Sequence, residues 1–493
     1  MKEMGLAHRA PLRLRADASR VIACLFIPGQ ELVGGSESRG SVAVERVMAL
    51  EEDEVTEVLA ELMSRFGNRH RDLDQVFSAH AARVTGLVKT PMTDNQRQLL
   101  GAVFTNEYAL EGAAICNPSI VAAPDQQSAA PGELNIVMSY RCVGEGHLSS
   151  INFRSGTIDA VGVLTIDDAA RFPETARISD GMLECDIFHG RLRDLGLDGE
   201  TAAYVLDGLP PTFSRSELEA GIAHLTTESD IRLNVADTTA RLRLFADNFY
   251  VATFASDLSI SQRVLWPATA RERNGMEDAR FVEMRVAGQP RYVATYTAFD
   301  GQSVSQQLLA TNDFRVFTST PLVGLGAMNK GMALFPRKIN GQFVALSRHD
   351  RESNAIAFSH NLHQWESVER VQLPSKSWEL IQIGNCGSPL ELDEGWLVIT
   401  HGTGPMRSYG LGAMLLDLDD PRRILAELPR PLLFPNESER DGYVPNVVYS
   451  CGSLLRDRTL YVPYGMADQA ISYFTVNIDE LIAAMGPLPP SDD

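Results

Sequence analysis

The stretch "RYVATYTAFDG" (residues 291–301) contains strand-type apolar residues that run into an aromatic residue and then into a turn. The pattern recurs, with an aromatic residue, an arginine or a histidine at its end, at 134–141, 341–350, 394–404 and 458–468. A second strand pattern follows the last four of the five copies, at 305–313, 355–362, 412–420 and 471–480. These stretches indicate a chain built from repeated strand pairs.

The spacing of the copies predicts the architecture. From Tyr296 to Arg348, His401 and Tyr464 the steps are about 50 to 60 residues, the length of a four-stranded blade. Five copies therefore predict an all-β core, a five-bladed β-propeller, over residues 111–485. The long first interval predicts an insertion in blade one at 155–247. It is expected to be partly helical, because "SRSELEAGIAHL" (214–225) begins with a capping box.

The two ends of the chain predict different structure. Residues 1–110 are expected to form a mainly α-helical extension, because 51–66 and 73–88 have apolar residues at helical spacing. A short strand at 20–28 precedes these helices. Residues 486–493 are expected to be a tail.

Composition and charge exclude several classes of function. With 64 acidic and 44 basic residues the net charge is −20, which repels a nucleic-acid backbone. The six cysteines form no CxxC pair and indicate neither a zinc site nor a disulfide framework. There is no apolar run of membrane-spanning length. We expect a cytoplasmic protein with no nucleic-acid or membrane partner, and a homo-oligomer stays open.

The propeller expectation predicts a central pocket. Innermost strands of all blades converge on one axis, so polar residues that end the repeated strands should meet there: Tyr140, Arg141, Tyr296, Arg348, His401 and Tyr464. The acids Glu277 and Asp278 in "NGMEDARFVE" (274–283) stand just before the second blade. Adjacent carboxylates repel each other, so the stretch is either a solvated turn or a site where a carboxyl exchanges a proton.

Seven motifs in order resemble glycoside hydrolase family 130, the β-mannoside phosphorylases and related β-mannosidases. They are "NPSI" (117–120), "YR" (140–141), "NGMEDARF" (274–281), "NKGMALFPRKINGQFVALSR" (329–348), "IGNCGSPLELDEGWLVITHG" (383–402), "ERDGYVPNVVYSCG" (439–452) and "YGMAD" (464–468). The resemblance covers about residues 112–485, apart from the insertion. It implies a five-bladed propeller and an inverting reaction. Asp278 would be the acid that protonates the glycosidic oxygen, in phosphorylases through a hydroxyl of the mannosyl unit.

The resemblance also implies roles for other residues. Phosphate-binding positions fall on Lys330 and Arg348, with His401 nearby and Arg141 as an addition; Gln382 stands where phosphorylases commonly carry a lysine. The expected substrate-binding residues are Asn117, Tyr464 and Asp468. Glu277 either binds a sugar hydroxyl or pairs with Arg280, and Arg280 is either a partner of the acids or a substrate ligand.

Three hypotheses of function follow. The first is phosphorolysis, in which a β-mannosyl oligosaccharide and phosphate give α-mannose 1-phosphate and a shortened acceptor; inorganic phosphate is the co-substrate, and neither a cofactor nor a metal is required. The second is an inverting β-mannosidase, in which Glu439, with Glu437 and Asp441 as rivals, activates water. The third is a glycan-binding propeller without chemistry, against which the acid at 278 beside a basic cluster argues.

Overall fold

The structure is a computed structural model that describes residues 2–28, 32–33, 37–88, 90–227 and 235–487. Two compact units divide the chain. The sheet unit comprises Met1–Ala16, Ala113–Ala169 and Thr175–Asp493, and the helical unit comprises Asp17–Gly112 and Ala170–Glu174. No helix among the described residues is long and apolar enough to cross a membrane.

The helical unit confirms the helices predicted near the start of the chain. Its helices are Arg39–Met48, Glu52–Phe66, Leu73–Val84 and Asp94–Val103. Strand Val21–Leu25 pairs with Thr105–Ala109, and Leu32–Val33 pairs with Glu37–Ser38. Apolar residues at helical spacing form its core, including Val44, Val55, Leu100 and Phe104.

In the described part of the sheet unit, five sheets of four to six strands follow one another along the chain. Sheet one contains Ala114–Ala122, Leu134–Val143, Ser149–Ile158, Leu164–Ile166 and Arg263–Leu265, and Glu174–Thr175 lies at its outer end in the strand order. Sheet two contains Gly275–Glu283, Tyr292–Phe299, Val304–Thr311, Val316–Pro321, Tyr250–Thr253 and Arg177–Asp180. Sheet three contains Ala333–Leu334, Phe343–Ser347, Asn354–Ser359 and Ser367–Gln372.

The last two sheets have the same plan. Sheet four contains Gln382–Asn385, Leu390–Leu392, Gly395–Thr403, Tyr409–Leu416 and Ile424–Glu427. Sheet five contains Val448–Tyr449, Leu454–Arg456, Thr459–Met466, Ala470–Asn477, His8–Arg9 and Leu14–Arg15. Helix Ile478–Met485 follows sheet five, and most of the predicted tail at 486–493 lies outside the described residues.

The repeated stretches form the second strand of each sheet, which corrects the expectation that they are innermost. The strand at the cavity edge is another one: Ala114–Ala122, Gly275–Glu283, Ala333–Leu334, Gln382–Asn385 and Val448–Tyr449. These edge strands give a weak sequence signal because several are very short and two contain β-bulges. The central second strands, buried on both faces, keep a continuous apolar pattern.

Five apolar clusters join the sheets in pairs. Sheets one and two share a cluster around Phe153 and Phe281. Further clusters join sheets two and three, three and four, and four and five. A fifth cluster, with Met138 and Tyr461, joins sheet five to sheet one. Each sheet therefore packs against two others.

Two predicted boundaries are wrong. Residues 1–16 do not belong to the helical extension, because His8–Arg9 and Leu14–Arg15 pair with Ala470–Asn477. The insertion does not belong to the first blade, because the strands that flank it, Arg177–Asp180 and Tyr250–Thr253, pair with each other and the latter pairs with Val316–Pro321 of sheet two. Residues 155–158 continue a strand of sheet one.

The insertion is partly helical, as predicted. Its helices are Cys185–Asp194, Glu200–Leu206, Arg215–Thr227 and Val235–Ala246, and Leu183–Glu184 pairs with Thr212–Phe213. The predicted capping box is present: Ser214 N donates to Glu217 Oε2 at 2.7 Å, and Glu217 N donates to Ser214 Oγ at 3.3 Å.

Candidate active site

A cavity of about 770 Å³, within the range of small-molecule sites, opens in the sheet unit. Residues in or directly after strands of all five sheets line it, and so do two residues of the insertion. Of the predicted site residues, the lining includes Asn117, Arg141, Asp278, Lys330, Arg348, Gln382, His401 and Asp468. The fold thus brings together residues from distant parts of the sequence.

Asn117 and Asp278 occupy equivalent bulges in two edge strands. The register of Ala114–Ala122 shifts between Cys116 and Ser119, and that of Gly275–Glu283 shifts between Glu277 and Arg280. Inside the bulges Asn117 has φ 51° and Asp278 has φ 56°, left-handed values that asparagine and aspartate tolerate better than most residues. The bulges turn both side chains to the cavity, where Asn117 Nδ2 donates a hydrogen bond to Asp278 Oδ1.

Cations surround the Asp278 carboxyl. Arg141 Nη1 lies 3.8 Å from Oδ1, and Arg280 Nη2 lies 3.8 Å from Oδ2. Burial raises the pKa of this carboxyl, but the charges of Arg280, Arg141 and Lys330 and the Asn117 amide outweigh burial and hold the pKa below its ordinary value. Asp278 is therefore ionised at neutral pH when the cavity holds no ligand.

Glu277 and Arg280 position lining residues without lining the cavity themselves. Glu277 accepts a hydrogen bond from Arg141 Nη2 at 2.7 Å and lies 3.7 Å from Lys330 Nζ, so it holds two lining cations. Arg280, only 2% exposed, donates to Cys386 O, to Asp278 O and to the Tyr449 hydroxyl at 2.8–2.9 Å. Neither residue is in the cavity lining. Glu277 pairs with Arg141 and Lys330 rather than with Arg280.

His401 presents an unused ring nitrogen in the cavity wall. Its Nδ1 lies 3.2 Å from Asn385 O, and because a carbonyl only accepts, Nδ1 carries the hydrogen. Burial, Arg348 and Arg280 lower the pKa of this imidazole well below its ordinary value. Nε2 is therefore an acceptor, and it has no hydrogen-bond partner among the residues that the structure describes.

Arg348 lies beside His401 and is 7% exposed. Its Nη2 donates to Arg351 O at 3.1 Å, while Nε has no partner within the described ranges. Gly384 leaves room for both side chains, since a Cβ there would lie 2.6 Å from Arg348 Cδ and 2.6 Å from His401 Cε1. Gln382 donates to Thr403 Oγ1 and to the Tyr409 hydroxyl at 3.2 Å, which orients its amide at the same wall.

Asp468 is a further carboxyl in the lining. Burial and the charge of Asp278 raise its pKa to about 6, against the opposing charges of Arg141, Arg407 and Lys330. The cavity therefore contains two aspartates whose pKa values are shifted in opposite directions. Such divergence is typical of catalytic sites, although structural ion pairs produce it too.

Glu439 and Tyr464 lie outside the cavity lining. Glu439 accepts hydrogen bonds from Arg9 Nε at 2.9 Å and from the Tyr464 hydroxyl at 2.7 Å, and neither Glu439 nor Tyr464 lines the cavity. Their rivals Glu437 and Asp441 are also outside the lining, as are Tyr140 and Tyr296. Tyr296 donates instead to the buried Glu272. The pairing with Arg9, 430 positions away, left no local signal in the sequence.

Several lining residues were not predicted from the sequence, including Arg191, Asp194, Gln306, Arg351, Arg407 and Tyr409. Arg407 lies within the glycine-rich stretch "GTGPMRSYGLG" (402–412). Arg191 and Asp194 belong to the insertion, for which the family resemblance supplied no role. Among the described residues, no group of three or more His, Cys, Asp or Glu side chains could hold a metal ion.

Comparison with known proteins identifies the family. The model of glycoside hydrolase family 130, described as β-1,4-mannooligosaccharide phosphorylase, matches residues 257–486. The 1,2-β-oligomannan phosphorylase of Thermoanaerobacter sp. (strain X514) is 35% identical over 228 residues, which cover 45% of this chain and 75% of that protein. The β-1,4-mannooligosaccharide phosphorylase of Ruminococcus albus is 31% identical over 184 residues, which cover 35% of this chain and 55% of that protein.

A solved structure matches most of the chain at lower sequence identity. The β-1,2-mannobiose phosphorylase from Listeria innocua, in complex with β-1,2-mannobiose, matches 77% of this chain and 93% of its own at 20% identity, with a TM-score of 0.46. The identity and coverage of the Thermoanaerobacter relative, together with the family model, show that this chain belongs to glycoside hydrolase family 130.

Proposed function

We propose that the chain catalyses inverting phosphorolysis of β-mannosides, converting a β-mannosyl oligosaccharide and inorganic phosphate into α-mannose 1-phosphate and a shortened acceptor. One observation carries the proposal: Asp278 faces the same cavity as Lys330, Arg348 and His401. Family membership supports an enzyme that processes β-mannosides, and the relatives above are named as phosphorylases. Inorganic phosphate is the co-substrate, and the reaction requires no cofactor.

We also propose that the five sheets are the blades of a five-bladed β-propeller with the cavity on its axis. The five intersheet clusters support this arrangement, because each sheet packs on two neighbours and sheet five packs on sheet one. The strand order supports it too, since edge strands of the five sheets carry or precede lining residues.

The phosphate site in this proposal consists of Arg348, Lys330 and His401. Arginine binds phosphate oxygens through its planar fork, and lysine adds a point charge. His401 Nε2 accepts the O–H of hydrogen phosphate. Arg141 and Gln382 complete the polar wall, and the amide of Gln382 takes the place of a further positive charge.

Asp278 is the proposed proton donor, and phosphate binding explains why this carboxyl becomes protonated. The cations that lower the pKa of Asp278 in the free site are partly neutralised when a phosphate dianion binds beside them. Its pKa then rises, and Asp278 can protonate the leaving oxygen through a hydroxyl of the mannosyl unit. Phosphate is itself an anionic nucleophile, so the reaction needs no catalytic base.

Asn117 and Asp468 are the proposed ligands of the mannosyl unit. Asn117 fixes Asp278 and presents its remaining amide atoms to the cavity. Asp468 accepts hydrogen bonds from sugar hydroxyls when it is ionised. Glu277 and Arg280 act on this site through the residues they position.

Hydrolysis is the second candidate, and two observations favour it. Asp468 is a second carboxyl of the cavity, and its pKa of about 6 suits a base that activates water near neutral pH. Gln382 also removes one positive charge from the phosphate site. Glu439, the base expected from the sequence, has no part in this alternative, because Arg9 and the Tyr464 hydroxyl donate hydrogen bonds to Oε1 and Arg9 also donates to Oε2.

Product analysis separates the two reactions. The full-length enzyme is incubated with β-1,2-mannobiose or β-1,4-mannobiose, with and without phosphate, and products are followed by phosphorus NMR and sugar chromatography. Phosphorolysis gives α-mannose 1-phosphate only when phosphate is present. Release of two equivalents of mannose at the same rate without phosphate would refute it and support hydrolysis.

A further inference from the structure

The insertion contributes a helix, Cys185–Asp194, to the cavity wall. Three contacts fix its position against the sheets. Gln364 Nε2 donates to Asp186 O at 2.7 Å, and Gly324 N donates to Asp194 Oδ2 at 2.9 Å. Gly190 allows close approach, since a Cβ there would lie 2.7 Å from Val323 Cγ2. The last turn of the helix is therefore held at the cavity.

Arg191, in that last turn, is a cation without a counter-ion. Within the described ranges no carboxylate lies within salt-bridge distance of it, whereas Arg193 on the same helix pairs with Glu366 at 3.2 Å. Burial and the nearby Arg271 lower the pKa of Arg191, and Asp194 opposes them only in part. A guanidinium stays charged under all physiological conditions. Arg191 is therefore available to pair with an anion in the cavity, next to Asp194, which also lines this wall.

Gln306 supplies a second, independent observation. Gln306 is a lining residue and is 1% exposed, and neither of its buried amide atoms, Nε2 and Oε1, has a hydrogen-bond partner among the described residues. A buried amide without partners costs free energy unless a ligand or water satisfies it. Leu322 N donates to Gln306 O at 3.1 Å, so the segment that holds Asp194 through Gly324 also adjoins Gln306.

Arg191 and Gln306 come from other elements than Arg348 and His401. Arg191 and Gln306 adjoin sheet two and the segment after it, which also carries Lys330, whereas Arg348 follows a strand of sheet three and His401 belongs to sheet four. Inversion requires the nucleophile and the leaving group on opposite faces of the sugar. A cation from other elements than Arg348 and His401 is therefore suited to the leaving group.

We propose that Arg191 and Gln306 form a subsite for an anionic substituent, a carboxylate or a phosphate ester, on the sugar that leaves. The proposal rests on the proposed function, and it makes the insertion a determinant of acceptor specificity. The guanidinium pairs with the anion, and the Gln306 amide donates to one of its oxygens.

The reverse reaction tests the subsite, with α-mannose 1-phosphate as donor and matched acceptors. Glucose is compared with glucuronate, and mannose with mannose 6-phosphate, so that the carboxylate and the phosphate ester are tested separately. We expect wild type to prefer the anionic member of at least one pair in kcat/KM. Arg191→Gln should lower kcat/KM for that acceptor by about 10- to 100-fold, the range of a charge-assisted hydrogen bond, and leave the neutral acceptor within about 3-fold.

Two variants control for folding. Arg193→Gln removes an exposed arginine from the same helix and should leave both acceptors unchanged. Arg191→Lys keeps the charge and should retain most of the preference. If wild type has no preference in either pair, or if Arg191→Gln lowers both members equally, the subsite is refuted.

Binding measurements keep this test separate from the proposed function. Glucuronate and glucose are titrated into the full-length protein and followed by saturation-transfer NMR. Glucuronate binding that weakens in Arg191→Gln but not in Arg193→Gln supports the subsite, even if no acceptor is mannosylated. Equal binding to wild type and Arg191→Gln overturns it, whereas failure to use α-mannose 1-phosphate with any acceptor counts against phosphorolysis.

Discussion

Replacing Asp468 by asparagine should stabilise the sheet unit, and the gain should grow with pH. The pKa of this carboxyl rises from an ordinary value of about 3.9 to about 6 in the fold. The native state therefore binds more protons than the unfolded state between these values, so Asp468 makes the protein less stable as pH rises through this window. At about 1.4 kcal/mol per pKa unit, the cost is about 1.5 kcal/mol at pH 5 and about 3 kcal/mol at pH 8.

The assay is urea unfolding of wild type and Asp468→Asn at pH 5 and pH 8, followed by tryptophan fluorescence. All four tryptophans belong to the sheet unit, so the signal reports on that unit. Other titrating groups cancel in the comparison, and the difference between the two proteins should increase by about 1.5 kcal/mol from pH 5 to pH 8. Asp441→Asn, at a carboxylate whose side chain is 87% exposed, is the matched control. A difference that is the same at both pH values, or smaller at pH 8, would refute the reasoning.

Three further predictions concern the chemistry and the support of the site. Asp278→Asn should keep the fold, because asparagine has the shape of the aspartate side chain and tolerates the left-handed backbone. It should lower kcat by about 10²- to 10⁴-fold, because the amide cannot donate the proton. Near-normal turnover of mannobiose would contradict this. Gly384→Ala should raise KM for phosphate with little change in KM for the mannoside, because the new methyl group displaces Arg348 and His401. Initial rates at varied phosphate concentration measure both constants. An unchanged KM for phosphate would show that neither residue belongs to the phosphate site. Glu439→Gln should lower the free energy of unfolding by about 3 kcal/mol, because it weakens a largely buried ion pair with Arg9. The kcat of the variant should stay within a few-fold of wild type. A large loss of kcat in the folded variant would indicate that Glu439 takes part in catalysis.

The sequence predicted those parts of the fold that depend on local pattern. The repeated strands are buried and apolar, so their spacing was visible and gave the all-β core. Asp278, Lys330, Arg348 and His401 were expected near one another, and all four line the cavity. The helices at 51–66 and 73–88 and the capping box at 214–217 have local signals and were also predicted correctly.

Pairings over long distances in the chain had no such signal. The first residues of the chain complete sheet five through pairing with Ala470–Asn477, and Arg9 thereby reaches Glu439. The insertion was expected beside sheet one but joins sheet two, because its flanking strands are short and Tyr250–Thr253 pairs with Val316–Pro321. Arg191 was missed for the same reason, since only the docking of its helix brings it to the cavity.

The left-handed backbone at position 278 limits which acid can serve there. Aspartate tolerates this conformation, whereas glutamate has little preference for it and would extend its carboxyl one carbon further from Asn117. The main-chain conformation and the need for an acid therefore both favour aspartate at position 278. Libraries that vary this enzyme should hold residue 278 fixed and treat glutamate there as a disruptive change, although it conserves the functional group.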